Sequence, residues 1–140
     1  MSNAINATGA PDPVGPYPHA LHVGDFLFLS GVGPRKKGAT EIPGVALNAN
    51  GEIRHYNFEE QCHAVFANVK SVLEAAGGKW EDLVDITVFL TDMKADFATF
   101  NKVYAEYFTS HKPCRTTVEV NALPTPIAIE LKCIAIVKKC

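Results

Sequence analysis

The feature that most constrains this chain is its last apolar stretch, "IAIELKCIAIV", residues 127–137. Successive side chains of a strand point to opposite faces. Ile127, Ile129, Leu131 and Cys133 therefore take one face, and Ala128, Ile134 and Ile136 the other. An earlier run repeats the pattern, with Phe26 and Phe28 opposing Leu27 and Leu29. A sheet of such strands must be covered on both sides, because apolar surface left in water forgoes about 25 cal/mol per Å².

Two helices can cover one side. Asn57 followed by Glu60 matches a capping box, and Phe58, Cys62, Val65, Phe66, Val69, Val72, Leu73 and Ala76 recur at helical spacing until Gly77-Gly78. A second helix is predicted from near Asp96, with Phe97, Phe100, Val103, Tyr104, Tyr107 and Phe108 as its stripe. The β-branched run 83–91 reads as a strand, with Val84, Ile86, Val88 and Leu90 on one face. Residues 19–23 and 26–32, linked by Gly24-Asp25, read as a hairpin. Segment 33–56 reads as loop with a small hairpin near Asn50-Gly51. Strands over about 115–121 and 127–137 close the chain.

The order is β-β-α-β-α-β-β, an α+β domain over residues 15–140 preceded by a flexible lead-in, 1–14. A length of 140 residues with 47% hydrophobic content suits one such domain. Nothing else in the chain can cover the second face of the sheet. Self-association with closed rotational symmetry is the expectation.

The remaining composition narrows the function. A formal charge of −2 offers no footprint for nucleic acid, and no apolar run is long enough to span a membrane. The N-terminus lacks the basic and apolar regions of a secretory signal, so the expected location is cytoplasmic. Cys62, Cys114, Cys133 and Cys140 have no metal-ligand spacing, and free thiols are expected, with Cys62 and Cys133 packed in the core. No metal or cofactor is called for.

Two ions stand out against this apolar background. Arg115 heads a β-branched strand, and Glu130 lies inside the last one. Arg115 either pairs with an acid such as Glu119 or offers its planar fork to a ligand carboxylate. Glu130 is either satisfied by Lys132 or a neighbour, or it handles a proton.

The motifs "GPYPHA" (15–20), "FLFLSG" (26–31), "VFLTDM" (88–93), "FNKVYAEYF" (100–108), "PCRTTVEV" (113–120) and "IAIELKCIA" (127–135) resemble, in order and spacing, those of the Rid family, the YjgF/RidA-type reactive-intermediate deaminases. The resemblance implies a chorismate-mutase-like fold. It also implies a homotrimer, or a hexamer made of two trimers, whose sheets form a barrel with active sites between subunits. The implied reaction is hydrolysis of enamines or imines of amino acids without a cofactor. By motif, Arg115 would bind the substrate carboxylate and Glu130 would handle the water. Tyr17 and Ser30 would line the pocket, with the Gly31 backbone beside them, Asn101 would help shape it, and Cys114 would supply backbone groups.

Two departures bear on substrate. Pro18-His19 replaces the family's more common Ser-Gln, and residues 33–56 are longer than in short members, bringing Arg35, Lys36 and Lys37. The longer segment resembles the subgroup that deaminates 2-aminomuconate to 4-oxalocrotonate in aromatic-compound degradation. That substrate carries two carboxylates, and Arg35 is the first candidate for the second; otherwise these cations form a solvated loop. The competing expectations are a generalist deaminase of 2-aminoacrylate and other 2-imino acids, and, outside deamination, a ribonuclease, a chaperone-like protein or a non-catalytic ligand-binding protein.

Overall fold

The computed structural model describes residues 3–138. Its elements are β1 (Ala4–Ile5), β2 (Ala20–Val23), β3 (Phe26–Leu29), β4 (Val45–Leu47), β5 (Ile53–Tyr56), α1 (Phe58–Ala75), β6 (Leu83–Leu90), α2 (Met93–Tyr107), β7 (Cys114–Glu119) and β8 (Ile129–Ile136), with a 3-10 turn at Trp80–Asp82. The main sheet runs β1-β2-β3-β8-β6-β7, and β4 pairs only with β5. All neighbours in the main sheet are antiparallel except β6 and β7. A parallel pair needs a crossover, and α2 supplies it. The predicted α+β order is present, the small hairpin expected near Asn50-Gly51 is β4–β5, and β1 is added.

Local chemistry explains the punctuation. Gly24 takes φ +61°, as the first residue of a tight two-residue hairpin turn requires. Asn57 caps α1 by accepting from Glu60 N at 3.1 Å. The Asn57 N–H goes instead to the Gly44 carbonyl, at 2.6 Å, so only half of the expected capping box forms. Helix α2 begins at Met93, three residues before Asp96. Asp92 caps it by accepting from Ala95 N, and the Met93 N–H donates to Glu119. Asp96 lies within the helix, where Tyr56 Oη donates to it at 2.6 Å and ties the β4–β5 hairpin to α2.

Both helices cover one face of the sheet. Phe66 of α1 is buried against Trp80, Phe100, Tyr104, Tyr107 and Phe108. Leu27, Leu29, Ile86, Val88, Leu90, Leu131 and Cys133 meet the helices from below and are fully buried. Burial pushes the Cys62 and Cys133 thiols up to about 12, as for inert core groups. Cys140 lies outside the described residues. A bulge between Leu83 and Asp85 shifts the register of β6. Leu83 thereby takes the covered position expected of Val84, which is exposed.

The opposite face is open. Val23 and Phe26 are 54% and 47% exposed, and Leu21, Phe28 and Val118 join them. No helix of the described residues is long and apolar enough to cross a membrane.

The N-terminal segment is not separate from this body. Ala4–Ile5 pair with β2, and Ala7 and Ala10 are buried. His19 holds the segment from both sides of its ring, accepting from Ala7 N at Nδ1 and donating from Nε2 to the Pro11 carbonyl.

Phe66→Ala removes the ring shared by α1, α2 and the Trp80 turn. It is expected to lower unfolding free energy by about 3–5 kcal/mol. A urea titration would show this as a lower midpoint with an unchanged slope.

Candidate active site

The candidate site starts where β3 ends. Beyond Leu29 the chain bends at Ser30-Gly31 and rejoins β8 through a pair of Val32–Leu131 backbone bonds, both 2.8 Å. This brings Gly31 against Glu130. A Cβ at Gly31 would stand 2.6 Å from Glu130 Oε2 and 3.0 Å from its Cδ. A side chain at this position would push the Glu130 carboxyl aside; the backbone itself makes no demand for glycine, since its φ is not positive.

Glu130 shares register with Phe89 and so belongs to the open face. Burial pushes its carboxyl above the usual range. Lys132 does not neutralise it, because the Lys132 ammonium donates to the Leu29 carbonyl. Glu130 opens onto a cleft of about 470 Å³, counting space open to solvent at its mouth, shared with Tyr17, Gly31, Gly33, Arg35 and Ile127. A second lobe of about 390 Å³ shares Tyr17, Gly31, Gly33 and Arg35 and adds Ser30 and His19. Ser30 Oγ donates to the Pro18 carbonyl at 2.7 Å, and both His19 ring nitrogens are engaged in holding the N-terminal segment.

Arg115 lies elsewhere. Its register partner is Ile86, a buried residue of the helix-covered face. Its guanidinium carbon sits 4.8 Å from the Tyr104 ring, 5.3 Å from Phe100 and 5.8 Å from Phe97. This aromatic cage beneath α2 suits a weakly hydrated cation. No ion pair with Glu119 forms, as that carboxylate caps α2 instead. Thr117 Oγ1 and Tyr104 Oη, both buried beside the arginine, have no hydrogen-bond partner. Burial raises the Tyr104 phenol pKa, and Arg115 pulls it back in part. Asn101, exposed, sits one turn beyond Phe97 on α2, and Cys114 is exposed at the head of edge strand β7.

The sequence candidates thus fall into two groups. Tyr17, Ser30, Gly31, Arg35 and Glu130 surround the cleft. Arg115, Cys114 and Asn101 lie on β7 and α2. Phe89 aligns with Glu130 on one side and with Val118 on the other, and Arg115 is three residues from Val118. At ordinary strand spacings, Arg115 and Glu130 are about 10 Å apart along the strands and about 10 Å apart across them. They also face opposite ways. One chain alone does not join them.

Gln61 and Asn68 were not anticipated. Each occupies a stripe position of α1, at helical spacing with Phe58, Val65 and Val72, where an apolar residue is usual. That misplaced polarity was the available signal. Gln61 Oε1 accepts from the N–H of Ala128, the residue just before β8. Asn68 Nδ2 donates to the carbonyls of Gly33 and Arg35.

The sequence profile described as Endoribonuclease L-PSP matches residues 7–137. A RutC family protein of Pyrococcus horikoshii is 42% identical over 135 residues, spanning 96% of this chain and 98% of that protein. Reactive Intermediate Deaminase A, chloroplastic, of Arabidopsis thaliana is 35% identical over 131 residues, spanning 94% of this chain and 64% of the relative. Among solved structures, the YjgF gene product of E. coli aligns with a TM-score of 0.82 at 35% identity, over 96% of this chain and 98% of the other. E. coli TdcF with bound serine aligns with a TM-score of 0.81 at 33% identity, over 95% and 97%.

Glu130 also makes a pH prediction. Its folded-state pKa is raised above the ordinary 4.5. The native chain therefore holds a proton that the unfolded chain has lost, and stability falls as pH rises from 4.5 through the folded value. Glu130→Gln lacks this penalty. Melting temperatures of both proteins from pH 4 to pH 8 should diverge as pH rises, in favour of the variant.

Proposed function

Because this chain belongs to the Endoribonuclease L-PSP family, that of the RutC and Rid proteins, we propose that it is a deaminase that hydrolyses 2-imino acids and their enamine tautomers to 2-oxo acids and ammonia. The observation that carries this reading is the Glu130 carboxyl, set against Gly31 on an open cleft and raised by burial. A group of that kind can take a proton from water and return it, since its pKa is moved toward neutrality. The relative named as a reactive intermediate deaminase supports the same chemistry.

In the proposed reaction, water adds to the C=N carbon while Glu130 accepts its proton. The imine reacts in its N-protonated form, so the resulting carbinolamine holds OH and NH2 on one carbon. Glu130 returns its proton to nitrogen and then takes the hydroxyl proton as the C–N bond breaks, the C=O forms and ammonia leaves; that last proton departs with the ammonia as ammonium. Arg115 binds the carboxylate next to the reacting carbon through paired N–H bonds. Tyr17, Ser30, the Gly31 backbone, Asn101 and the Cys114 backbone shape the pocket around the substrate.

Arg115 and Glu130 do not meet within one chain, so the proposal includes a second copy. A neighbour seated on the open apolar face would bring its β7 edge to the Glu130 cleft. Three copies closing their sheets into a barrel satisfy every open face alike. The narrower substrate reading, 2-aminomuconate, stands behind the broader one, which matches the relative's name. The family description also suggests ribonuclease activity, but a formal charge of −2 offers little attraction for a phosphate backbone.

Four measurements test this. Arg115→Ala should lower kcat/KM on an imine by on the order of 10²-fold or more, from loss of a buried charge partner. Glu130→Gln should lower kcat more than it changes KM; unimpaired turnover would move the proton-handling role to another group. Co-assembly of the two inactive variants should restore part of the activity, because only sites shared between copies can recover an intact pair. Phe28→Asp, on the open face, should shift the protein toward monomer in sedimentation and lower activity with it.

A further inference from the structure

The cleft holds a cation that the proposed reaction does not use. Arg35 lines both lobes. It is held from two directions. Asn68, only 8% exposed on α1, donates to the Arg35 carbonyl at 2.6 Å and to the Gly33 carbonyl at 2.9 Å. The side chain reaches over the cleft, where Nη2 donates to the Asp12 carbonyl at 2.7 Å. Pro11, Pro13 and Val14, on either side of Asp12, are themselves wall residues.

The charge of Arg35 is not spent on an acid. Asp12 is close enough to feel it, yet the Asp12 carboxylate is paired with Lys37, at 2.7 Å. This is the one ion pair found among the described residues. Asp12, Lys37 and Arg35 together leave one net positive charge. Glu130 shares the cleft but forms no ion pair with Arg35, and burial alone accounts for the shift of its carboxyl. A guanidinium has five N–H donors, and one of them accounts for the bond to Asp12. The remaining donors belong to an unneutralised fork in the cleft that Glu130 also lines.

We infer that Arg35 is a specificity residue that binds a second anionic group on the substrate, so that the cleft favours imino acids carrying a distal carboxylate over those with one carboxylate only. The inference rests on the deaminase reading for the identity of the first carboxylate and the imine. The geometry of the second subsite is independent of that reading. Asn68 acts as a positioning residue, because it sets the backbone from which Arg35 projects.

The test uses the full chain and two pairs of probes. For turnover, the imines of 2-oxobutanedioate and of pyruvate are generated by amino-acid oxidases, and ammonia release is measured above the spontaneous rate. For binding, 2-oxopentanedioate and 2-oxobutanoate are titrated calorimetrically. Arg35→Ala should reduce the preference for the diacid over the monoacid by on the order of 10- to 100-fold, as loss of a charge-assisted hydrogen bond does. Arg35→Lys should restore part of that preference. Lys36→Ala removes a charge from the same segment outside the cleft, and it should leave the preference within about twofold, as expected for screened surface charge. Circular dichroism and melting curves establish that each variant is folded.

Equal losses on diacid and monoacid, no loss on either, or failure of the unmodified protein to bind the diacid would each overturn the inference. If the unmodified protein hydrolyses neither imine, the deaminase reading falls. The binding preference then still decides whether Arg35 forms an anion subsite.

Discussion

Strand β8 is bonded to β3 on one side and β6 on the other, and the rest of the molecule is arranged around its two faces. Ile129, Leu131, Cys133 and Ala135 point into the helices and are fully buried. Glu130, Lys132, Ile134 and Ile136 point the other way and are only partly covered. A one-residue slip of β8 would exchange these sets, sending two charges under the helices and four apolar side chains into the open. The register that closes the core is thus the register that presents Glu130 to the cleft. Stability and the candidate chemistry share one constraint.

The Val32–Leu131 pairing extends that constraint to the pocket. It holds Gly31 so close to Glu130 that a side chain there would displace the carboxyl. The cleft walls are then supplied by segments without regular structure, fastened by a few polar groups. His19 fastens the N-terminal segment, Ser30 fastens the Pro18 carbonyl, and Asn68 fastens the Gly33–Arg35 turn. Each group satisfies backbone atoms that would otherwise be left unpaired near the core. This division between a packed scaffold and polar-fastened walls allows Arg35 to be changed without disturbing the Glu130 register.

The predicted elements were legible wherever local chemistry was sufficient. The Gly24-Asp25 turn, the α1 stripe and the Gly77 terminus depend on neighbours a few residues apart. The start of α2 was misplaced because apolar spacing begins near Asp96, whereas the cap is Asp92, supported by Glu119 from a distant strand. The facing of Val84 was misread because a bulge is a property of two paired strands, not of one. The strand at Ala4–Ile5 was hidden for the same reason, since two residues carry no periodicity.

From the residues alone came the α+β order, the two-faced sheet and the singling out of Arg115 and Glu130, because alternation, capping and a charge in an apolar run are short-range patterns. Only the tertiary structure separated those two ions, placing Arg115 under α2 and Glu130 on the open face. Face and distance in a sheet follow from register between strands far apart in the chain, and no local pattern encodes register. The same holds for Arg35, whose place in the cleft depends on Asn68, 33 residues further along.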